Sequence, residues 1–213
     1  NHNPHLAAML ENIDDGVGRI VEKLKVLGLD QNTIIIFTSD NGAETNVTSN
    51  APLRGGKSQL YEGGLRVPLI VRWPGKIFGG TTSNQPTVNV DFYPTLLEAA
   101  KVNPDKAQKL DGVSTLANWT SPKATLKRDA IYWHYPLEKP HFLGGISGGA
   151  IREGDWKLVE FFDTEKLELY NLAKDVGEKN NLADKQPRLA ERLQNQLIAW
   201  RKSIGATKEP PKR

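Results

Sequence analysis

The sequence predicts an α/β fold followed by a smaller antiparallel sheet-and-helix subdomain, on three observations. Two short, continuous apolar runs, Ile34 to Phe37 and Leu69 to Val71, are rich in β-branched residues, which suits strands buried on both faces of a parallel sheet. A stretch with helical apolar periodicity precedes the first run. Beyond Asp129 the runs become short strands separated by turn signals such as Glu153-Gly154-Asp155, the pattern of an antiparallel sheet.

In chain order, Leu6, Leu10, Ile13, Val17, Ile20, Leu24 and Leu27 step by four and three, which makes one apolar helix face that should pack on the sheet, with Gly28 placed to end it. Asp14 and Asp15 lie off that stripe and read as a solvated face. His2 and His5 read as unremarkable terminal histidines. Pro74 ends the second apolar run, and Gly75 to Ser83 forms a loop. Asp91 to Ala100 reads as a helix with Asp91 as N-cap and Pro94 in the first turn, its Leu96, Leu97 and Ala100 covering the sheet. Apolar periodicity gives way to Thr, Ser, Pro and Lys between Asn118 and Arg128, so a domain boundary is expected there, dividing 1–120 from 121–213. Strands follow at Asp129 to Tyr135, Ala150 to Arg152, Trp156 to Phe161 and Leu167 to Asn171. A helix over Pro187 to Ile204 presents Leu189, Leu193, Leu197 and Trp200 to one side of that sheet. The glycine-rich stretch Gly144 to Gly149 reads as a mobile loop, and the tail from Lys208 to Arg213 as disordered.

The chemistry concentrates just past the first apolar run. Asp40 and Asn41 offer a carboxylate and an amide oxygen, hard donors of the kind Ca²⁺ or Mg²⁺ prefers, and Gly42 permits the sharp turn that would let both face one ion. In open α/β sheets, ligands gather at such strand ends. From spacing alone, Asp-Asn-Gly reads first as a turn signal. Lys57, behind Gly55 and Gly56, can act as a point charge for an anion. His134, on a later strand, is a candidate substrate contact or simply a half-buried sheet histidine. Gly56-Lys57-Ser58 copies the end of a phosphate-cradling loop, but Ala51 stands where that motif needs glycine.

Three motifs in order, Phe37-Thr-Ser-Asp-Asn-Gly42, Asn50-Ala-Pro-Leu-Arg-Gly-Gly-Lys57 and Tyr61-Glu-Gly-Gly-Leu-Arg-Val-Pro68, resemble the sulfatase family of the alkaline phosphatase superfamily. The resemblance covers nearly the whole chain and looks like the C-terminal half: the end of an alkaline-phosphatase-like α/β/α sandwich plus the small subdomain. It implies hydrolysis of an aryl or carbohydrate sulfate ester with a formylglycine nucleophile and one divalent cation, calcium or magnesium. It puts Asp40 and Asn41 on the metal and Lys57 on the sulfate. It further implies that the nucleophile, the other metal ligands and the catalytic histidines belong to a missing N-terminal half, that the fragment alone is inactive, and that the enzyme is periplasmic or secreted. Asn50 to Arg54 mimics the family's nucleophile motif with Asn where Cys or Ser is required. Two alternatives stay open: a non-catalytic pseudo-enzyme or assembly module, and a phosphate-ester hydrolase of the same superfamily, against which Asn41 argues because zinc phosphatases favour an imidazole there.

Composition adds exclusions. A net charge of +3 with acidic residues interspersed does not suggest nucleic acid, and the absence of cysteine removes disulfides and thiolate metal sites. No apolar run reaches membrane-spanning length.

Overall fold

A computed structural model describes residues 3–209. His2 and the last four residues of the expected disordered tail lie outside that range. The elements run α1 (Pro4–Val26), β1 (Ile35–Thr38), α2 (Glu62–Leu65), β2 (Leu69–Arg72), α3 (Phe92–Ala99), α4 (Leu116–Thr120), β3 (Ile131–Tyr135), β4 (Gly148–Glu153), β5 (Trp156–Phe161), β6 (Leu167–Asn171) and α5 (Pro187–Ser203). They gather into two compact units. One comprises Thr38–Pro68 with the described parts of Asn1–Ala7 and Asp129–Arg213; the other comprises Ala8–Phe37 and Leu69–Arg128. None of the described helices is long and apolar enough to cross a membrane.

In the unit built on Ala8–Phe37 and Leu69–Arg128, β1 and β2 form a two-stranded sheet. Neither strand is buried on both faces as expected: Phe37 is 40% exposed and Ile70 60%. Ile35, Ile36, Leu69 and Val71 are only partly buried, because a two-stranded sheet offers its side chains few cross-strand neighbours. The α1 stripe is corrected in the same way, since Leu10, Ile13 and Ile20 are each about half exposed. The expected stop does form: Gly28 takes φ +67°, and Leu29 N–H donates to Leu24 O at 2.9 Å. Asp91 caps α3 by position but not by its side chain. Its buried carboxylate instead accepts from Val88 N–H (2.8 Å) and Val113 N–H (3.0 Å) and pairs with Arg128. The buried face of α3 is therefore polar. Thr95 donates to Asp91 O and lies 3.1 Å from the Thr115 hydroxyl, while Leu96 faces outward.

In the other unit, β3 to β6 form an antiparallel meander in chain order, with Ile131 opposite Arg152, Ile151 opposite Leu158 and Leu158 opposite Leu169. Period-two alternation sends Ile151, Leu158 and Leu169 to one face, where Ala190, Leu193 and Leu197 of α5 cover them; Trp200 of α5 stacks on Tyr132 at 4.8 Å. The opposite face buries Ala150, Val159 and Phe161 against Leu60. Gly148 and Gly149 belong to β4, not to a mobile loop. A Cβ on Gly148 would sit 2.6 Å from Glu160 O, so the glycine admits the neighbouring strand. Lys208, expected in a disordered tail, pairs with buried Glu160 at 2.9 Å.

A charged cluster that the sequence does not announce joins α2 to this sheet. Lys157 on β5 is fully buried with its Nζ 2.9 Å from Glu62 Oε1 and 2.9 Å from Glu178 Oε1. Glu178 Oε2 also accepts Glu62 N–H at 2.6 Å. Burial pushes the Glu178 carboxyl above the usual carboxylate range, even against the pull of Lys157. Beside this cluster Glu168 accepts from Tyr61 (2.9 Å), Tyr170 (2.7 Å) and Lys166 (2.8 Å). Burial opposes ionisation of Glu168, but these three bonds outweigh it and hold its pKa below the ordinary value.

Removing the ammonium should strand two carboxylates in the interior. Lys157→Met is expected to lower unfolding stability by about 3–5 kcal/mol in urea titration, with Glu62→Leu/Lys157→Met/Glu178→Leu recovering much of the loss. Equal stability of parent and single variant would deny the cluster its role. For Glu168 the folded pKa is depressed, so its ionised form contributes stability above the unfolded carboxylate pKa, and that contribution fades as pH falls through the folded value. Urea midpoints of parent and Glu168→Gln should differ most near neutrality and converge in acid; a gap independent of pH would contradict this.

Candidate functional site

The two sequence motifs meet through their backbones. At the end of β1, Thr38 Oγ1 donates to Pro68 O (2.9 Å), and Ser39 Oγ donates to Asn41 O (2.9 Å), which shapes the turn carrying Asp40 and Asn41. Gly42 N–H donates to Gly64 O at 2.9 Å, and a Cβ at Gly42 would lie 1.7 Å from Gly63 O. Only glycine allows that approach, so the start of α2 presses directly on the Asp-Asn-Gly turn. Asp40 is exposed and Asn41 partly so.

Lys57 is tied to the same segment through its backbone. Its N–H donates to Ala43 O at 3.1 Å, and its side chain is exposed. Asn50 locks the two loops together: Oδ1 accepts Ala43 N–H (3.0 Å), while Nδ2 donates to Ala43 O (2.9 Å) and Gly55 O (3.1 Å). Read from sequence, Asn50 is only the misfit in a nucleophile-like motif. Its position between two loops that both carry candidate ligands was the available signal.

Arg54 fixes the loop from below. Nη1 donates to Tyr170 Oη (2.8 Å) and Glu178 O (3.0 Å), and the guanidinium lies 3.8 Å from the centre of the Tyr61 ring. Burial, followed by the Glu168 carboxylate, holds the Tyr61 and Tyr170 phenols well above their usual pKa, so both stay protonated donors. Following Lys57, Gln59 Nε2 donates to Leu143 O at 2.9 Å, which ties the glycine-rich stretch to the same loop.

His134 belongs to a different cluster. It pairs with Gly149 across β3 and β4, and its ring is tilted 5.5 Å from Phe162. Burial, more than nearby Arg201, lowers its pKa below the ordinary imidazole value, against weaker support from Thr207 and Glu160. The structure brings the loops of Asp40, Asn41 and Lys57 together, and sets His134 among other partners.

As potential ion donors, the Asp40 carboxylate and Asn41 amide oxygen fit Ca²⁺ or Mg²⁺ in kind, on a turn whose backbone is already fixed at Gly42 and Ala43. They fit only part of such a shell. Among the described residues no cluster of three or more His, Cys, Asp or Glu side chains is poised to hold an ion.

The sulfatase family matches residues 4–102, and the family described as N-sulphoglucosamine sulphohydrolase, C-terminal, matches residues 56–203. A sulfatase of Formosa agariphila is 37% identical over 91% of this chain and 39% of its own length. An N-acetylglucosamine-6-O-sulfatase of Bacteroides thetaiotaomicron is 34% identical over 85% of this chain and 32% of its own. A solved structure of Ps i-CgsB with k-i-k-neocarrahexaose superposes with a TM-score of 0.81 at 30% identity, over 91% of this chain and 42% of that one. The chain thus spans about two-fifths or less of the length of these relatives. Matches that run through the Asp-Asn-Gly and Gly-Gly-Lys motifs and on through the meander and α5 leave one conclusion: the chain belongs to the sulfatase family and carries its C-terminal region, in the alkaline-phosphatase-like fold.

Proposed function

We propose that this chain serves as the C-terminal part of an enzyme that hydrolyses carbohydrate sulfate esters, with residues 1–120 closing the catalytic α/β domain and 121–213 forming the small subdomain. The observation that carries the proposal is the bond from Lys57 N–H to Ala43 O, which ties an exposed lysine to the Asp-Asn-Gly turn. The substrate class is supported by relatives whose names or complexes specify sulfated sugars, including a structure bound to its substrate D-Glucosamine-2-N, 6-O-disulfate (TM-score 0.74, 30% identity).

In this proposal Lys57 binds the sulfate group. As the sulfur–oxygen bond to the leaving alcohol breaks, negative charge grows on the oxygens, and a compact ammonium fixed beside them stabilises that charge more than it stabilises the ground state. Asp40 and Asn41 would hold a calcium or magnesium ion, which when bound supplies positive charge and orientation for the sulfate. A formylglycine nucleophile and the remaining ligands would come from sequence outside this chain, since no Cys is present and Asn50 occupies the nucleophile-like position. Asn50 spends its side chain on loop backbone instead.

Lys57→Ala in the complete enzyme is expected to lower kcat/KM for a sulfated sugar by more than tenfold, equivalent to about 1.4 kcal/mol of transition-state stabilisation, with little change in thermal midpoint. A smaller loss would make Lys57 structural. Calorimetric titration with calcium should give millimolar or weaker affinity for this chain alone, because two side-chain oxygens leave most of the shell to water, and far tighter affinity for the complete enzyme. Tight binding by the chain that survives Asp40→Ala would locate the ion elsewhere.

A further inference from the structure

We infer that Asn50 is a positioning residue for sulfate-ester hydrolysis, setting the spacing between the metal-ligand turn at Asp40 and Asn41 and the sulfate-binding Lys57; this rests on the function proposed above. Asn50 is partly buried, and its amide makes three bonds, all to main chain: one accepted from Ala43 N–H and two donated, to Ala43 O and Gly55 O. Ala43 follows Asn41 by two residues and Gly55 precedes Lys57 by two, so a single planar group spans the backbones that aim both sets of side chains. Ala43 O is the centre of this joint, because it also accepts Lys57 N–H at 3.1 Å. Space there is already spent: a Cβ on Gly56 would lie 2.4 Å from Ala43 O and 2.8 Å from Asn50 Nδ2.

The chemistry of the joint needs an amide. One edge must accept and the other must donate twice, which Asn does and a carboxylate of the same shape cannot. In Asn50→Asp the lost donor becomes an acceptor facing two carbonyl oxygens, so the loops are pushed apart without a change in side-chain volume. Asn50→Ala removes the joint without adding charge. A displacement of about 1 Å at a reacting group is enough to cost on the order of a hundredfold in rate.

The test is a double-mutant cycle in the complete enzyme, with a sulfated sugar as substrate, calcium titrated by calorimetry and thermal midpoints measured alongside. Asn50→Asp and Asn50→Ala are each expected to lower kcat/KM at least tenfold, chiefly through kcat, and to weaken calcium binding. In a Lys57→Ala background, either Asn50 change should lower kcat/KM by clearly less than it does alone, because the group it aims is gone. Full additivity of the two losses, or unchanged calcium affinity, would overturn the inference and leave Asn50 a loop-stabilising residue. A Lys57→Ala variant with parental activity would instead overturn the proposed role of Lys57, and the positioning role with it. A variant too unstable to assay is replaced by the other, since the two perturb the joint in different ways.

Discussion

Lys157 lies at a depth where water cannot reach it, between two carboxylates, and the geometry of the candidate site descends from that contact. Glu62 is the first residue of α2, and its backbone N–H as well as its side chain is engaged by the cluster. A helix of four residues has almost no intrinsic stability, so its place is set by what it touches. Once Glu62 is fixed against β5, Gly63 and Gly64 are fixed with it, and they form the surface on which Gly42 turns. The order of dependence therefore runs from a buried ammonium, through one helical turn, to the residues at the mouth of the site.

The division of labour is physical. The meander and α5 bury leucine, isoleucine and aromatic side chains, and that apolar contact provides most of the driving force for folding. It is non-directional. Ion pairs and hydrogen bonds add less net stability, but they require specific distances and angles. The polar groups accordingly hold the loops in place: Glu62, Glu178 and Lys157 in one cluster, Arg54, Tyr61, Tyr170 and Glu168 in another, and Asn50 between the Ala43 and Gly55 backbones.

The parts of the fold with a strong period were legible in the sequence. Leu193 and Leu197 fall on the buried face of α5 because a helix repeats every 3.6 residues, and β3, β5 and β6 emerge at the expected stretches because aromatic and β-branched residues fit a pleated surface. Periodicity shows which face is apolar, not whether anything covers it, so the stripe of α1 and the strands β1 and β2, expected to be buried, are instead only partly buried or exposed. Asp40, Asn41 and Lys57 stood out because their motifs are short and ordered. Asn50, Glu62, Lys157 and Glu178 did not, because a residue that binds backbone or a distant charge leaves no local pattern; Lys157 to Glu62 spans 95 positions.

The interlocked glycines around α2 have a consequence for how variation in this region is read. Gly42 meets Gly63 O, Gly63 meets Arg54 O and Gly55 O, and Gly64 meets Gln59 O and Gly56 O, each so closely that any Cβ would overlap a main-chain atom. A saturation mutagenesis map would show these columns as blank as those of the charged residues beside them. That intolerance reports steric exclusion between stacked loops rather than any part in turnover. Ranking positions here by lost activity would consequently merge two populations, and only a folding assay run in parallel would separate residues with a part in chemistry from those that merely leave room for the loops.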